Sequence, residues 1–235
     1  MPEFFYALLF AHILADYLFQ PDALIRWRER HFCGLLAHGS IVFLMTWLLS
    51  LPYAPGWWPY ALFIAIAHTL IDAPRAHMGG NGPGPLAFGL FLLDQFVHVL
   101  IICLALAFSS YLPPARLTDF LAKLACKPKV LYPAIGYSLD TMPAWVFIRF
   151  LVRGLIPREE LTFGNRYVLM LERILITTFV WLNQFWLIPL VVLPRLFFEG
   201  RHVWPLEEEE NRASYLIELL SSVLIALLIG LALKG

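Results

Sequence analysis

Ionisable side chains recur at one spacing inside the apolar runs of the first hundred residues. His12 and Asp16 lie four residues apart, as do His68 and Asp72 and, in reverse order, Asp94 and His98. His38 stands alone in the apolar run between the first two pairs. On an α-helix, residues i and i+4 share a face, one turn apart. Each pair can therefore aim an imidazole nitrogen and a carboxylate oxygen at one point. Four such helices packed together would bring seven donors to a common centre. This pattern constrains the fold because the runs that carry it have the apolarity of membrane helices. An aspartate at the centre of a membrane helix costs about 2.5–3.5 kcal/mol on insertion scales. Three aspartates and four histidines must therefore face inward and satisfy one another.

Composition points the same way. The chain has 235 residues, 60% of them hydrophobic and 14% charged. Soluble domains carry about 25% charged residues, so an integral membrane protein is expected. The formal net charge is zero, which suggests no nucleic-acid partner. Cys33, Cys103 and Cys126 are odd in number and show no CxxC spacing. Neither a disulfide framework nor a thiolate zinc site is indicated. The N-terminus lacks a basic leader and an A-x-A-like cleavage site, so the first apolar run is expected to belong to the mature protein.

The expected fold is an all-α polytopic transmembrane bundle of six to eight spans. Candidate spans lie near residues 4–19, 34–51, 60–73, 86–108, 130–152, 167–186 and 213–233, against the roughly 20 apolar residues a bilayer core requires. The run 187–198 holds Pro189 and Pro194 and reads as a broken or re-entrant helix. Residues 113–129 place Leu117, Phe120, Leu121 and Leu124 at helical spacing among charges, the pattern of a short interfacial helix. The domain reading follows: 1–112, a four-helix bundle with the His/Asp site; 113–129, a linker; 130–235, a second helical half that scaffolds it. Arg26, Arg28, Arg30, Arg75, Arg149, Arg153 and Arg158 in short connections place those loops in the cytoplasm and the N-terminus outside, while Arg116, Lys123, Lys127 and Lys129 oppose that orientation.

The seven donors His12, Asp16, His38, His68, Asp72, Asp94 and His98 offer nitrogen and oxygen but no sulfur. That set suits a divalent metal such as zinc, manganese or iron. A catalytic zinc commonly takes three protein ligands and a water, so seven donors are better used by two ions bridged by a carboxylate. The alternatives are a polar or proton-relay network and plain helix–helix pairing. Gln20, Asp22 and Gln95 adjoin the pairs as candidate supports. Glu172, Arg173, Asp140 and Glu218 are candidate buried ionisable groups of the second half.

The stretch His12-x-x-x-Asp16 with Gln20, then His38, His68-x-x-x-Asp72 and Leu93-Asp94-Gln95-x-x-His98 resembles the bacterial membrane proteins of domain-of-unknown-function family 3307. The resemblance runs over about residues 10–100. Leu171-Glu172-Arg173, Asn183-Gln184-Phe185 and Ser221 are similar to longer members, whereas Leu193-Pro194 before Arg195, and Glu218-Leu219, depart from them. The resemblance implies a bacterial inner-membrane location and supplies no activity. The spacing is also similar to that of membrane proteins loosely labelled metal-dependent hydrolases.

The functional expectation is a membrane-embedded metal-dependent hydrolase with two divalent ions, acting on a lipid or lipid-linked phosphoester. Asp16, Asp72 and Asp94 are its candidate catalytic residues, one of them serving as general base. Membrane lipid is the expected partner, with an anionic headgroup drawn in by Arg26, Arg28, Arg30 and Arg75. The alternatives are an ion or proton transporter using the same residues and a non-catalytic protein with a structural metal. Oligomeric state is not legible.

Overall fold

Membrane helices bury their small and polar residues and turn apolar side chains outward. Helix α3, Phe32–Ser50, does this: His38, Gly39, Thr46 and Ser50 are buried, while Leu36, Leu44 and Leu48 are exposed. The computed structural model describes residues 2–78, 84–109, 127–156, 165–198 and 209–234. Among these, all regular structure is helical. The helices are α1 Pro2–Ile13, α2 Asp22–Arg30, α3, α4 Trp58–Met78, α5 Pro85–Phe108, α6 Leu131–Leu139, α7 Met142–Leu155, α8 Arg166–Trp181, α9 Ile188–Phe198 and α10 Glu209–Lys234. A π-helical turn, Leu14–Leu18, extends α1, and a 3-10 turn, Phe185–Leu187, leads into α9.

Among the described residues, three helices, α3, α5 and α10, are long and apolar enough to cross a membrane. A fourth crossing is reached if Glu3–Leu18 and Asp22–Arg30, bent by 85° at their junction, count as one span. Six to eight spans are not supported among the described residues, and the reasons are local. The fifth apolar run is split at Asp140-Thr141 into α6, nine residues, and α7, fourteen. Helix α8 has sixteen residues and α9 eleven. At 1.5 Å per residue, none of these covers a hydrocarbon core of about 30 Å. Helix α4 is long enough, but its C-terminal third carries Asp72, Pro74, Arg75 and His77. The expected interfacial helix at 113–129 falls, apart from residues 127–129, outside the described residues, as does the centre of the glycine-rich loop.

The chain divides into two compact units, Met1–Gly80 with Leu90–Ile135, and Asn81–Gly89 with Gly136–Gly235. In the first, Phe4, Leu8, Val42, Trp57, Ile64 and Ile102 belong to the buried core. Phe4 stacks on Tyr53 at 5.4 Å and meets Trp57 edge-on at 4.9 Å, closing one end. Helices α3 and α4 approach closely at Gly39, where a Cβ would collide with Thr69 Oγ1. His38 and His68 are the chain neighbours of that contact, so the glycine sets their approach. Gly34 does the same for α2: a Cβ there would lie 2.5 Å from Arg28 N.

In the second unit, α8 and α10 meet at Gly230, where a Cβ would lie 2.6 Å from Val180 Cβ. Fully buried Arg173 donates to the backbone carbonyls of Asp140 (2.6 Å) and Thr141 (3.2 Å) and to Ser222 Oγ (3.2 Å). It thereby satisfies carbonyls left free where α6 ends. Arg195 lies between Glu218 (2.9 Å) and Glu172 (3.4 Å). Asn183, at φ 61°, turns the chain after α8; asparagine tolerates that left-handed conformation better than most residues.

Candidate metal centre

The first unit gathers donors from five elements. His12 comes from the last turn of α1, Asp16 from the π-turn, His38 from α3, His68 and Asp72 from α4, and Asp94 and His98 from α5. The π-turn is closed by a 2.8 Å bond from Phe19 N to Leu14 O. Single π-turns inside helices occur often at functional sites; here the turn sets the direction of Asp16. Gln20-Pro21 then ends the helix, because proline disfavours the helical conformation of the residue before it. Pro21 caps α2, and the resulting bend returns Arg28 to the site.

His38 Nε2 and His68 Nε2 lie 3.0 Å apart. Asp16 Oδ1 is 3.6 Å from the first and 3.4 Å from the second. Asp72 Oδ2 is 3.6 Å and 3.5 Å from the same two nitrogens. Each carboxylate oxygen thus forms a triangle with the histidine pair. Donors held 2.0–2.2 Å from a tetrahedral ion lie about 3.3–3.6 Å from one another, so the carboxylate edges of both triangles have the dimensions of a metal face and the 3.0 Å histidine edge is shorter. The other oxygens point elsewhere: Asp16 Oδ2 is 3.6 Å from His12 Nδ1, and Asp72 Oδ1 is 3.6 Å from His98 Nε2. His98 stacks against His12 at 5.3 Å and lies 4.2 Å, centroid to centroid, from His68.

Among the described residues, three donor groups could hold a metal ion: His12, Asp16, His68; His38, His68, Asp72; and Asp72, Asp94, His98. The six residues of the spaced pairs and the lone His38 are therefore brought together. Asp94 stands at the margin, with Oδ1 3.9 Å from His98 Nδ1.

Hydrogen bonds around the donors free the nitrogens that face inward. The Gln20 amide nitrogen donates to the Asp16 carbonyl at 2.9 Å. Its oxygen then accepts from His38 Nδ1 at 3.2 Å and Arg28 Nη1 at 2.7 Å, pairing every donor with an acceptor. With Nδ1 donating, His38 turns a lone pair inward on Nε2. His98 Nδ1 donates to the Asp94 carbonyl at 2.7 Å, with the same effect at its Nε2. Outer hydrogen bonds of this kind fix the tautomer of metal-binding histidines. His98 Nε2 and Asp16 Oδ1 are buried and have no hydrogen-bond partner. Buried acceptors left in that condition are costly, and a cation at the centre would satisfy both. Tyr17 donates to Gln95, which donates to Asp94 Oδ2 at 3.0 Å.

Gln20 and Gln95 were candidate supports from their position beside the pairs. Asp22 instead opens α2. Two partners were not legible. Arg28 reads in the sequence as a loop arginine, yet its Nη1 lies 2.7 Å from Asp72 Oδ2. Nothing in the sequence singles out Tyr17. Only the bend at Pro21 reveals the first, and the π-turn the second. In the second unit, Asp140 is fully buried and Glu218 nearly so, as expected; Glu172 pairs with Arg195, and Arg173 with the Asp140 and Thr141 carbonyls and Ser222.

A helical, membrane-associated protein with a buried His/Asp cluster able to bind metal is the class that fold and site define. The chain belongs to the family described as Protein of unknown function (DUF3307), whose model matches residues 4–122. That match contains all seven donors together with Gln20 and Arg28. No curated protein and no solved structure matches the chain.

Proposed function

We propose that the chain is a membrane-embedded metal-dependent hydrolase that holds two divalent ions and acts on a lipid or lipid-linked phosphoester. The observation that carries this reading is the division of labour within two carboxylates. Asp16 and Asp72 each turn one oxygen to the His38–His68 pair and the other to His12 or His98. Carboxylates so placed suit two ions about 3.5–4 Å apart, the separation used for in-line displacement by water. The nitrogen and oxygen donors favour zinc, manganese or iron. When bound, such ions supply Lewis acidity and make a coordinated water more acidic.

The remaining work belongs to the protein's own groups. Asp94 lies outside the histidine–carboxylate triangles, and Gln95 fixes its Oδ2. It is the carboxylate best placed to accept a proton from the attacking water. A cavity of about 10 Å³ borders His12, His68 and His98, a volume that suits about one water molecule.

Elemental analysis of purified, metal-reconstituted protein tests the reading. Wild type is expected to hold about two ions per chain. His68→Ala, which removes a donor from two of the three groups, is expected to hold fewer. Asp94→Asn is expected to keep at least one ion and to lose hydrolysis of phospholipid in mixed micelles. Protein that retains no metal after reconstitution sinks the proposal.

One observation favours transport instead. The helix break at Asp140-Thr141 surrounds a fully buried carboxylate, Asp140, whose two oxygens have no hydrogen-bond partner. Broken helices with buried ionisable groups form ion sites in transporters. Under that reading, metal-loaded protein hydrolyses nothing, and ion flux in proteoliposomes depends on Asp140.

A further inference from the structure

Arg28 has a place in the centre that the metal donors leave unexplained. It belongs to α2, a helix with no fully buried residue, yet it reaches inward to Asp72 Oδ2 at 2.7 Å. That oxygen also faces the His38–His68 pair. Gln20 accepts from the same Nη1 at 2.7 Å. The guanidinium is thus anchored through one nitrogen. Its Nε is buried and has no hydrogen-bond partner. An arginine anchored at one corner with a second buried donor unused presents a fork edge of the kind that receives phosphate or carboxylate oxygens.

Charge decides between those two ligands, given the two-ion reading above, on which this inference rests. Two divalent ions bring four positive charges and Arg28 a fifth. Asp16, Asp72 and Asp94 return three negative ones. Two positive charges remain in an apolar setting, where uncompensated charge is strongly unfavourable. A dianionic phosphoryl group neutralises them; a single carboxylate does not. We infer that Arg28 binds the anionic substrate, its Nε edge receiving an oxygen of a phosphoryl group seated on the metal centre. The phosphoryl group is carried by a phosphate ester, lipid-borne or soluble. Arg26 and Arg30, both exposed on the same helix, take no part in that contact.

The probe is inorganic phosphate, titrated calorimetrically into full-length protein in nanodiscs at matched metal loading. Wild type is expected to bind it, and Arg28→Gln to bind it about 10–100-fold more weakly, the range of a charge-assisted hydrogen bond or two. Metal content of Arg28→Gln should stay at the wild-type level, a result that a purely structural partner of Asp72 would not combine with lost phosphate affinity. Arg28→Lys keeps the charge and the fold if Arg28→Gln does not, and should lie between the two because lysine lacks the fork. Arg26→Gln and Arg30→Gln should match wild type. Equal phosphate affinity in wild type, Arg28→Gln and Arg28→Lys overturns the inference and leaves the metal reading intact. Failure of wild type to take up metal overturns both. Nanodiscs of phosphatidylcholine with and without phosphatidic acid separate the sources: displacement of bound phosphate by phosphatidic acid assigns a lipid-borne ester, and its absence a soluble one. Either result supports a phosphoryl site at Arg28.

Discussion

Gln20 shows how much a single amide can decide. It touches none of the inward-facing donor atoms, yet its oxygen holds the Nδ1 of His38 and so directs the Nε2 lone pair to the centre. Replacing such an outer partner typically costs 10–100-fold in metal affinity. Gln20→Ala is therefore expected to weaken metal binding by roughly that factor, measured by competition with a fluorescent chelator, with the helical circular dichroism unchanged. An unaltered affinity would show that His38 needs no orienting partner. Asp16 illustrates a different point. The i,i+4 rule pairs it with His12 on an ideal helix, but the backbone around it is π-helical. The pair still forms, at 3.6 Å. The residue types and their spacing named the partners, while the extra residue per turn set the angle.

At the scale of elements, the centre depends on how closely α3 and α4 cross. Gly39 faces Thr69 Oγ1, which donates to the Ala65 carbonyl at 2.7 Å and is held by that bond. A methyl group on residue 39 cannot be accommodated unless the threonine gives way. Gly39→Ala is expected to destabilise the protein by about 1–3 kcal/mol, the usual cost of overpacking, and to lower metal affinity by separating His38 from His68. Thr69→Ala in the same chain removes the colliding oxygen and should restore most of both losses. A double-mutant cycle in thermal unfolding and metal titration measures the coupling; additive effects would mean that the two residues do not meet. The short helix α2 depends in turn on Gly34, whose bare Cα admits the backbone of Trp27 and Arg28.

On the scale of the whole chain, the second unit carries its own buried charge network, outside the family match. Arg195 lies between Glu172 and Glu218. Removing it leaves two carboxylates facing each other without their guanidinium, and breaking a buried pair in this way costs about 3–5 kcal/mol. Arg195→Ala should therefore lower the unfolding temperature in detergent markedly, while Glu218→Gln, which leaves Arg195 with Glu172, lowers it less. Metal content of the protein that remains folded should be unchanged in both, since no donor of the centre is involved. The sequence by itself determined the helical class, the apolar exterior and which seven His and Asp residues gather in the first unit, because helical periodicity and the cost of charge in an apolar medium are local and compositional rules. Tertiary structure alone decided which apolar runs are long enough to span. It split the fifth run at Asp140 and Thr141, where Arg173 satisfies the freed carbonyls. It alone decided the partners of each carboxylate oxygen and the arrival of Arg28 at Asp72, because both follow from a chain bend and from helix crossings set by missing side chains at Gly34 and Gly39. Such contacts join residues 44 positions apart in the chain, as in the Arg28–Asp72 bond, and no local periodicity encodes them.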